Sequence, residues 1–113
     1  MVYDRAHELA MALARCEEYK RLEIAKAGIA NDSAAKRMVK DFLTRKMELE
    51  LAAMAGKERD QAAMAALEQL AGVVSANPRA RDYLEAYGRF QVLMNDVSRI
   101  LSEAVKQGMD IVE

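Results

Sequence analysis

Tryptophan is absent from this 113-residue chain, cysteine, proline and histidine occur once each, and glycine occurs five times. Each shortage removes a class of function. A lone cysteine, Cys16, makes no internal disulfide and by itself no structural zinc site. A lone histidine, His7, is followed by Glu8, but Met11 stands where the metalloprotease motif His-Glu-x-x-His needs its second histidine. No Glu-x-x-His pair is present for a di-iron bundle. The glycines are scattered at 28, 56, 72, 88 and 108, so no glycine-rich loop is available to cradle phosphate. No serine sits in a nucleophile elbow. No apolar run approaches the ~20 residues of a membrane span, and no apolar stretch follows a basic start at Met1. With one thiol and no such stretch, the expected location is the reducing cytoplasm. Charge of one sign is lacking too. Seventeen basic and eighteen acidic residues give a net charge of −1, spread evenly along the chain, so no global field draws the protein to nucleic acid or to an anionic membrane.

What is present is helical. Apolar residues make up 52% and charged residues 31%, a mixture that suits a folded chain of one domain, 1–113. Ala, Leu, Met, Glu, Lys, Arg and Gln fill most positions, and they lose little side-chain freedom in a helix. Asp4 can cap a first helix, on which Tyr3, Ala6, Leu9, Ala10 and Leu13 fall at helical spacing. Cys16-Glu17-Glu18-Tyr19 either breaks this helix or leaves it continuous to about Ala27, with Tyr19, Leu22, Ala25 and Ile29 carrying the apolar stripe onward. Gly28 and Asn31-Asp32-Ser33 mark the first clear interruption, where Gly ends one helix and Asp32 or Ser33 caps the next. That next helix spans about Ala34 to Ala55, with Met38, Phe42, Leu49 and Ala53 as its buried side and Gly56-Lys57 as its end. Another covers about Glu58 to Ala76, with Ala63, Leu67, Leu70 and Val74 in register. Asn77-Pro78 is the sharpest punctuation. Asn77 caps the last helix and Pro78 fits its first turn, where a missing N–H costs nothing.

On that last helix Tyr83, Tyr87, Phe90, Met94, Val97, Leu101 and Ala104 repeat at spacings of four and three, a heptad-like seam widened by Leu93 and Ile100. About 30 residues of helix span roughly 45 Å, whereas a compact globule of this length is about 30 Å across. The helix therefore overhangs a compact monomer. Bare apolar surface costs about 25 cal/mol per Å² in water, and the simplest cover is a partner chain, most often an identical one. The fold class expected is all-α: a bundle of four to five helices with a long C-terminal helix, packed as a homo-oligomer. Tyr83, Tyr87, Phe90, Met94, Val97 and Leu101 are its core seam or protein interface.

The remaining candidates for chemistry are sparse. His7 reads as an ordinary helix residue. Cys16 reads first as a small apolar or helix-junction residue, and second as a reactive thiol or one ligand of a cluster shared between subunits. Glu17/Glu18 and Glu48/Glu50 are not spaced three or four apart, so neither pair shares a helix face, and both read as solvated surface. Lys36, Arg37, Lys40, Arg45 and Lys46 form the densest basic run. Lys36, Arg37 and Lys40 cluster on a helix and give a second functional reading, RNA contact, although Asp41 lies among them and no aromatic platform accompanies them. Eight methionines are many for this length. Met38, Met47, Met54 and Met64 suit both core filling and shape-tolerant partner contact.

Several segments taken in order resemble the YlbF/YmcA-like family of bacterial regulators. These are Tyr3-Asp4-Arg5-Ala6-His7-Glu8-Leu9-Ala10, Glu17-Glu18-Tyr19-Lys20-Arg21-Leu22, the Asn77-Pro78 turn running to Tyr83-Leu84-Glu85-Ala86, Arg89 to Val97, and Ile100 to Val105. The resemblance covers nearly the whole chain, and its order and spacing are more specific than any single segment. It implies an all-helical, cytoplasmic protein without catalytic activity that self-associates through its long helices. It further implies control of competence, sporulation and biofilm formation in Gram-positive bacteria, in complexes with sister proteins that adjust RNase Y-dependent mRNA processing. Some such complexes carry iron–sulfur clusters held by several cysteines. This chain departs there, with Cys16 alone and no cysteine in its tail. It also has Cys16 where Ser usually precedes Glu-Glu-Tyr, a weaker helix cap. The expectation is thus a non-enzymatic adaptor with no catalytic, cofactor or metal residues. Its partners are itself, sister family proteins and RNA-processing machinery, with neither a membrane nor, directly, a nucleic acid.

Overall fold

A computed structural model describes residues 1–110 as five helices in chain order: α1 (Val2–Arg15), α2 (Glu17–Ile29), α3 (Ser33–Met54), α4 (Gln61–Ser75) and α5 (Pro78–Met109). The described residues contain no strand.

Side-chain oxygens set the starts of α3, α4 and α5, whereas α1 starts at Val2 with no side-chain cap, so that Asp4, expected to cap it, lies inside its first turn. Asp32 Oδ1 accepts from the Ala35 amide at 3.0 Å and opens α3. Asn77 Oδ1 accepts from the Arg79 and Ala80 amides at 3.1 and 3.2 Å and opens α5, with Pro78 in the first turn. Each cap satisfies a donor that the helix leaves orphaned. The helix between Gly56 and Asn77 starts at Gln61 rather than near Glu58, because Asp60 Oδ1 caps it through the Ala63 amide at 3.0 Å. α3 ends in a Schellman turn: Gly56 has φ +75°, its amide reaches the Ala53 carbonyl, and the Lys57 amide reaches the Ala52 carbonyl, both at 3.1 Å.

The first long helical stretch is broken, because Cys16 has φ −72° and ψ 159°, an extended residue between α1 and α2. Its Sγ accepts from the Tyr19 amide at 3.4 Å, standing in for the usual hydroxyl cap. Gly28, expected to end α2, lies inside it. The helix runs on to Ile29, whose side chain is buried, and stops at Ala30. The apolar anchor one residue later outweighs the helix cost of the glycine, about 1 kcal/mol.

The helices form two arms. α2 runs antiparallel along the first part of α5, as Tyr19 meets Phe90 while Ile29 and Ala80 share one cluster. α3 and α4 form the second antiparallel pair. The arms join where Ile29, Ala35, Val39, Val74 and Ala80 are buried together, with Met38, Phe42, Leu43, Leu70, Tyr83 and Leu84 packed around them. The two caps also meet there. Asp32 Oδ2 lies 4.0 Å from Arg79 Nη1, and Asn77 Nδ2 lies 3.9 Å from Met38 Sδ. Ala35 and Ala80 are fully buried one turn into their helices because only a methyl group fits where helix starts approach this closely.

The result is a layer rather than a globule. Its extents are 46 × 39 × 15 Å, and its radius of gyration is 17.6 Å, against about 13 Å for a compact chain of this length. Among the described helices, α1 lies against α2 alone.

Candidate interaction surface

The seam of α5 passes through two environments. From Ala80 to Val97 it is at least half covered: Ala80 is buried, and Tyr83, Tyr87, Phe90, Met94 and Val97 are half-buried. Phe90 stacks on Tyr19 with ring centroids 5.3 Å apart at 52°, the tilted geometry that aromatic quadrupoles favour. Tyr83 and Tyr87 stack one turn apart at 6.1 Å. Burial, and secondarily the neighbouring Tyr87 phenol, raises the Tyr83 pKa above 10.0. Removal from water disfavours the phenolate.

Beyond Val97 the cover stops. α2 begins at Glu17, so its antiparallel run along α5 ends shortly past the contact of Tyr19 with Phe90. α1 turns aside at Cys16 rather than continuing along the rest of α5. Every described residue from Ser98 onward is exposed. Ile100, Leu101, Val105 and Met109 are between 53 and 76% exposed. The expected seam therefore divides. Its first five members lie in the half-covered stretch, and Leu101 lies on the open one.

The other candidates fall apart from this surface. Lys36, Arg37 and Lys40 are all exposed on α3. His7 is exposed on α1. Cys16 is half-buried with its sulfur engaged by the Tyr19 amide, and the described residues hold no group of three His, Cys, Asp or Glu side chains able to share a metal ion. An iron–sulfur cluster is held by several cysteine thiolates, so the single Cys16 of one chain does not fit it. A groove of about 870 Å³ runs between α2 and α5 over Ile24 and Val92, with Glu17, Arg21, Glu85 and Arg89 along its walls. It brings together no nucleophile and base. No helix of the described residues is long and apolar enough to cross a membrane.

Sequence reading missed two features. Ala35 and Val39, rather than Met38, form the buried centre of α3. Their four-residue spacing, continued by Phe42, was the available signal. The second is Leu51, which joins Met47 and Met54 in one exposed apolar patch, while Ala53, expected on the buried side of α3, is exposed.

The fold and its surface thus define a class: an open, all-α, single-layer protein whose distinctive surface is bare apolar helix. The family model described as control of competence regulator ComK, YlbF/YmcA, matches residues 2–106, and the chain belongs to this family. It is 41% identical to a UPF0342 protein of Symbiobacterium thermophilum over 92% of this chain and 93% of that one. It is 38% identical to a UPF0342 protein of Caldicellulosiruptor saccharolyticus over 92% and 87%. Among solved structures, a protein of unknown function (DUF964) from Bacillus stearothermophilus shares the fold with a TM-score of 0.73 at 14% identity, covering 98% of each chain. A chain of the crystal structure of Bacillus subtilis RicA in complex with RicF gives a TM-score of 0.58 at 18% identity, covering 96% of each chain.

Proposed function

We infer that this chain is a non-enzymatic regulatory adaptor that works by helix-mediated protein–protein interaction, with the distal part of α5 as its contact surface. The observation that carries the reading is the row Ile100, Leu101, Val105 and Met109, left bare by a fold that covers the same face of the same helix further back. Two such surfaces brought together remove on the order of 900 Å² of apolar area, roughly 20 kcal/mol gross at ~25 cal/mol per Å². Association itself costs about 4–15 kcal/mol, with side-chain ordering added, and an area of about 1,000 Å² marks the lower end of specific interfaces, so this surface can contribute to holding a complex. Family membership supports regulation as the role, and the RicA–RicF complex supports a family-like fold acting while bound to another protein.

On this reading the chain is one helical domain, 1–113, that acts in the cytoplasm. It pairs with itself as a homodimer or higher oligomer, and with sister family proteins that connect it to RNA-processing machinery and to competence, biofilm and sporulation control. The test is affinity purification of the tagged chain from its host without oxygen, read by mass spectrometry, beside the variant Ile100→Asp/Leu101→Asp. Recovery of sister helical proteins by the wild type and their loss with the variant is the expected result. Equal recovery by both contradicts the assigned surface.

A further inference from the structure

α3 has two faces of different character. Ala35 and Val39 are buried and Phe42 and Leu49 half-buried on one side. Opposite them lie Lys36, Lys40, Thr44, Met47, Leu51 and Met54, spaced four, four, three, four and three apart, which places all six on one stripe. All six are exposed. The stripe changes along its length. Its first two turns are cationic, with Arg37 beside Lys36 and Lys40. Its last turns are apolar, with Met47, Leu51 and Met54 between 57 and 84% exposed. Arg45 is engaged by Asp41 at 3.0 Å and lies off the stripe, whereas Lys36, Arg37 and Lys40 enter no ion pair among the described residues.

We propose that this stripe is a docking face for an amphipathic helix of a partner protein, acidic at one end and apolar at the other. The three unpaired cations stand together in the first turns of α3, so that end selects carboxylates. The apolar end exposes on the order of 400 Å², the size of patches that are commonly functional on a monomer. Methionine makes that end tolerant of the shape it receives. From residue 36 to residue 54 the stripe runs about 27 Å, five helical turns, which one partner helix of similar length covers. A polyanion such as RNA would engage the cations and leave the methionine end in water. The α3 stripe is separate from the distal α5 surface, so failure at either one leaves the other standing.

The test is fluorescence anisotropy with the full chain and three labelled probes. One is a 20-residue helical peptide with glutamates on one half of a face and leucines on the other half. The second is its counterpart with lysines for the glutamates, and the third is a 20-nucleotide single-stranded RNA. The Glu–Leu peptide is expected to bind saturably and the Lys–Leu peptide at least about ten-fold more weakly, with Lys36→Glu/Lys40→Glu reversing that preference. Met47→Gln/Leu51→Gln, with an unchanged circular dichroism spectrum, is expected to weaken the Glu–Leu peptide about ten-fold. Four results overturn the proposal: no saturable binding of the Glu–Leu peptide; equal affinity for the two peptides; binding of RNA alone, abolished by the lysine substitutions; or a fall in the protein's own sedimentation mass with Met47→Gln/Leu51→Gln, which assigns the face to a second copy.

Discussion

The first and last parts of α5 carry the same heptad-like pattern and have opposite fates. Between Ala80 and Val97 the seam finds α2 and the node of the two arms, and aromatic pairs fix its packing. From Ile100 to Met109 the seam continues with Ile, Leu, Val and Met and finds no cover among the described residues. Periodicity therefore reports which face of a helix wants cover. The length and direction of the neighbouring helices decide whether the chain itself supplies it. The extended backbone at Cys16 makes the difference here, because it turns α1 away from the register that α2 follows.

Phe90→Ala should have the largest effect of the single substitutions, destabilising the chain by about 2–4 kcal/mol, at or below the usual cost for a core phenylalanine because Phe90 is half-buried. Urea denaturation at several protein concentrations measures this loss, which should not change with concentration. Leu101→Ala sharpens the contrast. In dilute protein it should cost less than about 1 kcal/mol, and its effect should grow with concentration as association becomes coupled to folding. A large cost for Leu101→Ala in dilute monomer would erase the distinction between the two halves. Asn77→Ala removes the cap that opens α5 and touches Met38, and should cost about 1–2 kcal/mol by thermal or urea unfolding. Cys16→Ser restores a hydroxyl cap at the break and should raise stability by about 0.5 kcal/mol while leaving the break in place.

The smallest effect is alkaline. The raised pKa of Tyr83 means that the folded state holds its proton more tightly than the unfolded state does. This contribution is complete below pH 10.0, the unfolded value, and is lost as pH rises through the higher folded value. Tyr83→Phe should accordingly flatten the fall of stability above pH 10, seen by comparing unfolding midpoints of the two proteins across that range.

Asp32 and Asn77 were legible as helix starts because a cap is a local event between neighbouring residues. Cys16 was not decisive, since a thiol is an uncommon cap and the apolar stripe continues across it. Gly28 misled because its local preference was overridden by the burial of Ile29, a tertiary fact. Ala35 and Ala80 carry no large side chain to announce a core, and their burial follows from where two helix starts meet. Met47, Leu51 and Met54 are spaced like core residues, and only the placement of α4 on the other side of α3 leaves them outside. The α5 seam could be read as a face that wants cover, but the point at which cover ends depends on the length and direction of α2.

The most direct test of the bare distal helix as a contact surface is sedimentation equilibrium of the wild type and of Ile100→Asp/Leu101→Asp at micromolar concentration. The expected result is a wild-type mass that is a multiple of the 12.6 kDa chain and a folded variant at 12.6 kDa. A wild type that stays at 12.6 kDa up to about 100 μM, where even a weak interface would be populated, would contradict self-association through this surface.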